Sequence, residues 1–192
     1  MIKKLFNPFH FSEKKLLPFG IVTLLIGAYL GFAYNSRFDG VIDLHYTEKV
    51  SLFQSFFDLL IAITTVSLIL YLLGLFINKK TRMVDLFIVV LISKVPFYLL
   101  PLFNIGNKMY EVSNKTLTLI NPKSDLKLLP NEILFLILST IISLLAMIWS
   151  IILLYNGFKT ATNSKEIKHS ILFVIGLLLS EIVSKIIIHF LN

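Results

Sequence analysis

The sequence predicts an all-α polytopic membrane protein, a bundle of five transmembrane helices, and three observations support this fold class. Hydrophobic residues make up 56% of the 192 residues and charged residues only 15%, whereas soluble domains have about 25% charged residues. The mean hydropathy is +0.84. Five apolar runs follow one another along the chain, each close to the roughly 20 residues that a spanning helix needs. The runs do not alternate with polar residues, which favours helices over a β-barrel.

The N-terminal segment, residues 1–15, precedes the first apolar run and is rich in aromatic and basic residues. This composition predicts an interfacial segment on the cytoplasmic side of the membrane, with a disordered tail as the alternative. Lys14 and Lys15 come directly before the apolar run, and no small-residue cleavage site follows that run. We therefore expect no removable signal peptide.

The rest of the chain, residues 16–191, is predicted to form one transmembrane domain. The predicted spans cover residues 16–34, 52–77, 83–103, 133–155 and 170–191. The third span carries Pro96 and Pro101. A proline inside a helix removes a hydrogen-bond donor, so we expect this span to kink near Pro96 or to end before Pro101.

Basic residues predict the direction of the crossings. Ten Lys and Arg residues lie in the N-terminal segment and in the second and fourth loops, against six in the first and third loops, which also hold most of the loop acids. Because cytoplasmic loops carry an excess of Lys and Arg, we predict a multi-pass protein of the cell membrane with a cytoplasmic N-terminus and an outside C-terminus. The formal charge of +7 then indicates contact with membrane lipids and not with nucleic acid.

Four charged residues lie inside the predicted spans and away from their ends: Asp58, Lys94, Glu181 and Lys185, while Asp85 stands at the start of the third span. Each costs roughly 2.5–3.5 kcal/mol to insert, so each should face protein or water. Glu181 and Lys185 have the i, i+4 spacing of a helical ion pair. Three interpretations stay open: a self-neutralised pair, a polar cluster that links the second, third and fifth spans, or a proton or ion pathway.

Small residues at helical spacing predict close helix contacts, because membrane helices approach each other where side chains are small. Gly27 and Gly31 form a Gly-x-x-x-Gly motif in the first span, and Gly176, Ser180 and Ser184 repeat every four residues in the fifth. These faces serve either packing within one chain or a homo-oligomer.

Catalytic and metal-binding patterns are missing from the sequence. Cysteine is absent, which excludes disulfides and thiolate chemistry. The histidines have no metal-ligand spacing, and the sequence contains neither a phosphate-binding loop nor a nucleophile turn. We predict a non-enzymatic protein without cofactor or metal that contacts lipid or another membrane protein. The alternatives are a small transporter or channel component that uses the four charges, or a membrane enzyme acting on lipid, which would need a polar cluster at one interface.

Two short patches resemble a known family. Residues 148–159 contain Trp149, Tyr155 and then Gly157-Phe158-Lys159 before a polar loop, and Asn7-Pro8-Phe9 precedes the first span. Both patches are similar to prokaryotic members of the Yip family, named for eukaryotic proteins that interact with Ypt/Rab GTPases. The resemblance implies five spans and a cytoplasmic N-terminus.

The sequence also departs from that family. The long N-terminal region and the Asp-Leu-Tyr-Gly-Pro motif of the eukaryotic members are not present, so GTPase binding is not expected. Trp149 and Tyr155 also fit the aromatic belt at a membrane interface, and we predict that they act as interface anchors.

Overall fold

The structure, a computed structural model, describes residues 6–118 and 127–191. The first five residues of the predicted N-terminal segment lie outside this part. The helices in order are α1 (Glu13–Ala33), α2 (Leu52–Ile77), α3 (Met83–Ser93), a 3₁₀ segment (Val95–Asn107), α4 (Lys108–Thr118), α5 (Pro130–Thr162) and α6 (Ile167–Leu191). Between α1 and α2 lie two short strands, β1 (Ser36–Arg37) and β2 (His45–Tyr46).

Five helical stretches in this part of the chain are long and apolar enough to cross a membrane. They are α1, α2, the stretch from α3 through α4, α5 and α6. This confirms the predicted fold class: the protein is a multi-pass, all-α membrane protein. We call the end of the bundle where α1 begins the N-terminal face, and the opposite end the first-loop face.

The third span changes its helix type along its length. Its α-helix ends at Ser93, before Pro96, and continues as a 3₁₀ segment that contains Pro101. The carbonyl of Ser93 accepts a hydrogen bond of 2.6 Å from Ser150 Oγ of α5. A polar side chain of a neighbouring helix thus satisfies a backbone group at the helix end, as lipid-embedded backbone requires.

This irregular third span is the most buried of the five and forms the centre of the bundle. It contacts α1, α2 and α5, while α6 packs mainly on α2. Near their connecting loop, α5 and α6 meet through Tyr155 and Phe173, whose ring centroids are 5.3 Å apart.

The small residues that the sequence singled out lie at contacts within the chain. A Cβ atom on Gly27 would overlap the ring of Tyr98, one on Gly31 would overlap Ser55 Oγ, and one on Gly176 would overlap Leu73. Ser180 and Ser184 are fully buried. These small side chains let α1 approach the third span and α2, and let α6 approach α2.

The two sequence patches that resemble the Yip family touch each other at the N-terminal face. Asn156 Nδ2 donates a 2.9 Å hydrogen bond to the carbonyl of Phe6, and the ring of Phe6 packs edge-on against Trp149. A Cβ on Gly157 would approach the Phe9 ring to 2.8 Å. The segment before α1 therefore lies against the second half of α5.

Replacing Gly27 with leucine should destabilise the bundle, because the new side chain has no room beside the Tyr98 ring. Overpacking typically costs about 1–3 kcal/mol. The thermal midpoint of the purified protein in detergent, followed by circular dichroism, measures the effect. Ala33→Leu, at an exposed position on the same helix, is the matched control and should leave the midpoint unchanged. Equal midpoints for both variants would contradict the contact.

Candidate functional site: charged residues around the first loop

The first loop, residues 34–51, folds back into the helix bundle. Its strands pair antiparallel, with Arg37 opposite His45, so the loop is a short hairpin. Phe38 is completely buried and packs edge-on against Tyr98, with ring centroids 6.1 Å apart. Val41 is only 3% exposed. Non-helical backbone therefore lies between helices, where water cannot satisfy its polar groups.

Asparagine side chains fix the base of the hairpin. Asn35 has a positive φ of 48°, a conformation that asparagine tolerates better than most residues. Its Nδ2 donates to Asn107 Oδ1 at 2.9 Å. Asn104 Nδ2 donates to the carbonyl of Tyr34 at 2.7 Å, while its Oδ1 accepts from the backbone of Tyr110. The base of the loop is thereby joined to the end of the third span.

Arg37 binds Asp58 of α2 through two parallel hydrogen bonds. Arg37 Nε lies 2.8 Å from Asp58 Oδ2, and Arg37 Nη2 lies 3.0 Å from Oδ1. Asp58 is 1% exposed. The hydrogen bond to Asp58 raises the pKa of Arg37 above its ordinary value, although desolvation by burial opposes that rise. Bidentate pairs of this kind combine strength with a fixed geometry.

Two in-span charges bind the backbone at the tip of the hairpin. Lys94 Nζ donates to the carbonyl oxygens of Gly40, at 3.2 Å, and Val41. Glu181 Oε2 accepts from the amides of Val41, at 2.6 Å, and Ile42, at 3.0 Å. We call these five residues the tip cluster. A Cβ on Gly40 would overlap the Glu181 carboxylate, so a larger side chain at that position would have to displace the carboxylate from its place in the cluster.

Lys185 extends the tip cluster toward the first-loop face. Its Nζ lies 2.7 Å from Asp43 Oδ2 and 3.1 Å from Glu181 Oε1. The helical pair that the sequence suggested is therefore present, and the structure brings Lys94, Glu181 and Lys185 together around the hairpin tip. Asp58 is tied to the same hairpin separately, through Arg37.

Sequence reasoning missed the roles of Arg37, Asp43 and Gly40. It treated Arg37 and Asp43 as loop charges that indicate topology. A signal was present, because the first loop combines a central glycine with charges of both signs between two spans that themselves carry charges.

A cavity opens at each face of the bundle. The one at the N-terminal face has a volume of ≈ 360 Å³. The larger one, ≈ 570 Å³, lies at the first-loop face beside the tip cluster. We call it the charged cavity. It is lined by Arg37, Asp39, Asp43, His45, Lys185, Ile188 and His189. Asp39 and His45 form an ion pair when the histidine is protonated. Within residues 6–118 and 127–191, no group of three His, Cys, Asp or Glu side chains is placed to hold a metal ion.

The two aromatic residues predicted as interface anchors occupy different environments. Tyr155 Oη shares a 2.7 Å hydrogen bond with Ser170 Oγ of α6. Trp149 is half-buried beside Phe6, about 20 Å from the C-terminal end of α5 at 1.5 Å per residue. Their role as anchors stays a prediction.

Comparison with known proteins agrees with this architecture. The sequence model of the Yip1 domain matches residues 10–185. The chain belongs to the Yip1 family. This confirms the family that the two patches suggested, although Asn7-Pro8-Phe9 lies just before the matched region. That region includes the whole hairpin, Asp58 and the tip cluster. Comparison with curated proteins and with solved structures gives no significant match.

Replacing Asp58 with alanine should strongly destabilise this Yip1 domain, because Arg37 would lose its bidentate partner in a largely buried site and keep only the longer contact of 3.7 Å to Asp39. Removing one member of a buried pair costs roughly 3–5 kcal/mol, whereas replacing both with apolar residues is often neutral. Arg37 is partly exposed, so we expect the low end of that range. Thermal unfolding in detergent measures the loss.

The double variant Arg37→Met with Asp58→Leu should recover most of the lost stability. Glu48→Gln, at an exposed position of the same loop, should not differ from the unchanged protein. A double variant no more stable than Asp58→Ala would show that the pair is not the reason for the loss.

Proposed function

We propose that this Yip1-family protein acts by contact with other proteins and with lipids in the cell membrane, and that it does not catalyse a reaction. One observation carries the proposal: all four in-span charges are used to hold the first loop. Asp58 binds Arg37, Lys94 and Glu181 bind the hairpin backbone, and Lys185 binds Asp43.

The use of these charges argues against a constitutive ion path. Such a path needs charged groups that face water and can exchange partners. Asp58 and Lys94 are 1% and 2% exposed, and both are hydrogen-bonded to the first loop. Their charges stabilise the fold, which leaves the lipid-facing surfaces and the two faces of the bundle as the places where the protein can act.

The charged cavity supports a second candidate, a small transporter or channel component. Lys185 lines this cavity with its side chain 46% exposed, and Glu181 lies directly behind it. A polar cavity next to buried charges is the arrangement from which a pathway across the membrane could begin.

Reconstitution in vesicles separates the two candidates. Under the contact proposal, vesicles containing the purified protein should release protons and potassium no faster than protein-free vesicles, as measured with a pH-sensitive dye and an ion-selective dye. In native membranes, a photo-crosslinking residue at the exposed position 141 of α5 should give discrete products with a protein or a second copy.

The variant Lys185→Met is measured beside the unchanged protein in both the flux assay and the photo-crosslinking assay. A flux above background that Lys185→Met abolishes would overturn the contact proposal in favour of transport. A photo-crosslinking pattern that shows only free lipid and no protein would remove the protein part of the proposal.

The proposed orientation places the N-terminal face in the cytoplasm and the first-loop face outside, supported by the excess of basic residues at the N-terminal face. The chain contains no cysteine, so single cysteines can be introduced without background. Lys165→Cys and Asn114→Cys, both at exposed positions, should react with a membrane-impermeant maleimide from opposite sides of intact cells. Asn114→Cys should react from outside, and Lys165→Cys only after permeabilisation. Labelling of both from one side would contradict the orientation.

A further inference from the structure

Two further cavities lie against α5, and the first of them adjoins the charged cavity at Asp43. A middle cavity of ≈ 270 Å³ lies between the first loop and α5, with Asp43, Leu44 and Ser143 in its wall. An apolar groove of ≈ 390 Å³ lies between the 3₁₀ segment and α5 and ends at Trp149. Asp43 lines both the charged and the middle cavity, and Leu100 lines both the middle cavity and the apolar groove. The three spaces therefore form a row with shared walls, in which the middle cavity and the apolar groove contact overlapping stretches of α5, residues 140–147 and 142–149.

The order of polarity along this row matches a phospholipid. At one end lie the charged side chains beside Lys185, which is about 9 Å from the end of α6. At the other end lie only apolar residues and Trp149, about 28 Å from the start of α5. A headgroup would occupy the charged end, and an acyl chain would run along α5 toward the tryptophan.

The charges of the cavity decide the class of headgroup. In the wall of this cavity Arg37 Nε lies 3.7 Å from Asp39 Oδ1 and Lys185 Nζ lies 2.7 Å from Asp43 Oδ2, so the fixed charges cancel. A site for an anionic headgroup would carry excess positive charge, whereas a balanced set fits a zwitterion. Arg37 uses two of its five N–H donors to bind Asp58, and Lys185 uses two of its three to bind Asp43 and Glu181. Donors therefore remain for a phosphate.

The residues that line the charged cavity also indicate which kind of ammonium group the headgroup carries. A quaternary ammonium is recognised by the faces of aromatic rings, but the rings that line the charged cavity are those of His45 and His189. A primary ammonium instead needs hydrogen-bond acceptors, which the carboxylates of Asp39 and Asp43 supply.

We infer that the row of cavities holds one phospholipid with a phosphoethanolamine headgroup, its phosphate on Lys185 and Arg37, its ammonium on Asp39 and Asp43, and an acyl chain along α5 to Trp149. This rests on the proposed function, since it specifies a lipid with which the protein makes contact. The occupant is a bilayer lipid and not a free phosphate compound, because two of the three spaces are mainly apolar.

The single tryptophan of the chain gives a direct readout, because Trp149 lines the apolar groove. The experiment uses the full chain in phosphatidylcholine bilayers that contain a small fraction of phosphatidylethanolamine with brominated acyl chains, which quench tryptophan fluorescence on contact. Quenching should exceed that given by the same fraction of brominated phosphatidylcholine or phosphatidylglycerol. Free phosphoethanolamine and inorganic phosphate should not reverse it.

Two variants test the charged end and the middle of the row. Asp43→Asn removes an ammonium acceptor and should weaken the preference for phosphatidylethanolamine about tenfold, the usual effect of losing one hydrogen bond to a charged group. Ser143→Phe fills the middle cavity without removing a charge and should abolish the preference. Ile141→Phe, on the exposed side of the same helix, is the matched control and should keep it.

Equal quenching by the three brominated lipids would overturn the inference, as would a preference that survives both Asp43→Asn and Ser143→Phe. A preference for phosphatidylglycerol would overturn the zwitterionic headgroup, and displacement by free phosphoethanolamine would overturn the bilayer lipid as occupant. None of these results would decide the broader proposal that the protein acts by contact with proteins and lipids, because the test of that proposal measures flux and protein crosslinks.

Discussion

The hydrogen bonds that Lys94 and Glu181 make to the tip of the first loop are the interaction on which the rest of the structure depends. A hairpin inserted between membrane helices brings amide and carbonyl groups into a region without water, where each unsatisfied group costs several kcal/mol. Lys94 supplies donors for two carbonyls, and Glu181 supplies an acceptor for two amides. Each charge is costly in the membrane when alone. Together they neutralise one another and satisfy the backbone that would otherwise exclude the hairpin.

The irregular third span follows from the same requirement. Lys94 stands directly after the last residue of α3, where the helix type changes and the side chain can reach the hairpin. The 3₁₀ segment that follows places Tyr98 against both Gly27 and Phe38. A tyrosine ring thus fills the space between α1, the third span and the inserted loop. The prolines therefore end the α-helix at the level where the hairpin needs a partner, and the break belongs to the packing of the loop.

The sequence was sufficient for the crossings because each depends on a local property, a run of about 20 apolar residues. It was also sufficient for the break in the third span, since proline acts on its own helix. It was not sufficient for the hairpin, because the burial of a loop depends on partners that are far away in the chain: Arg37 and Asp58 are 21 residues apart, and Val41 and Glu181 are 140 apart. The glycines predicted close contacts, but nothing local to Gly27 indicates that its neighbour is Tyr98.

The charged residues differ in how far they are exposed, and this difference separates what lipid contact and ion transport would require of the hairpin. Lys94 is 2% exposed behind the hairpin tip, whereas the side chain of Lys185 is 46% exposed beside it. A lipid headgroup can reach Lys185 and Arg37 without any movement of the hairpin. For an ion to move from the charged cavity to Lys94, the hairpin would first have to give up the hydrogen bonds of Gly40, Val41 and Ile42 to the two charges. Each such bond to a charged group contributes about 1.5–3 kcal/mol. A transport path through the tip cluster would thus require breaking these bonds in every cycle, while lipid binding beside Lys185 leaves them intact, and this difference in cost favours the lipid.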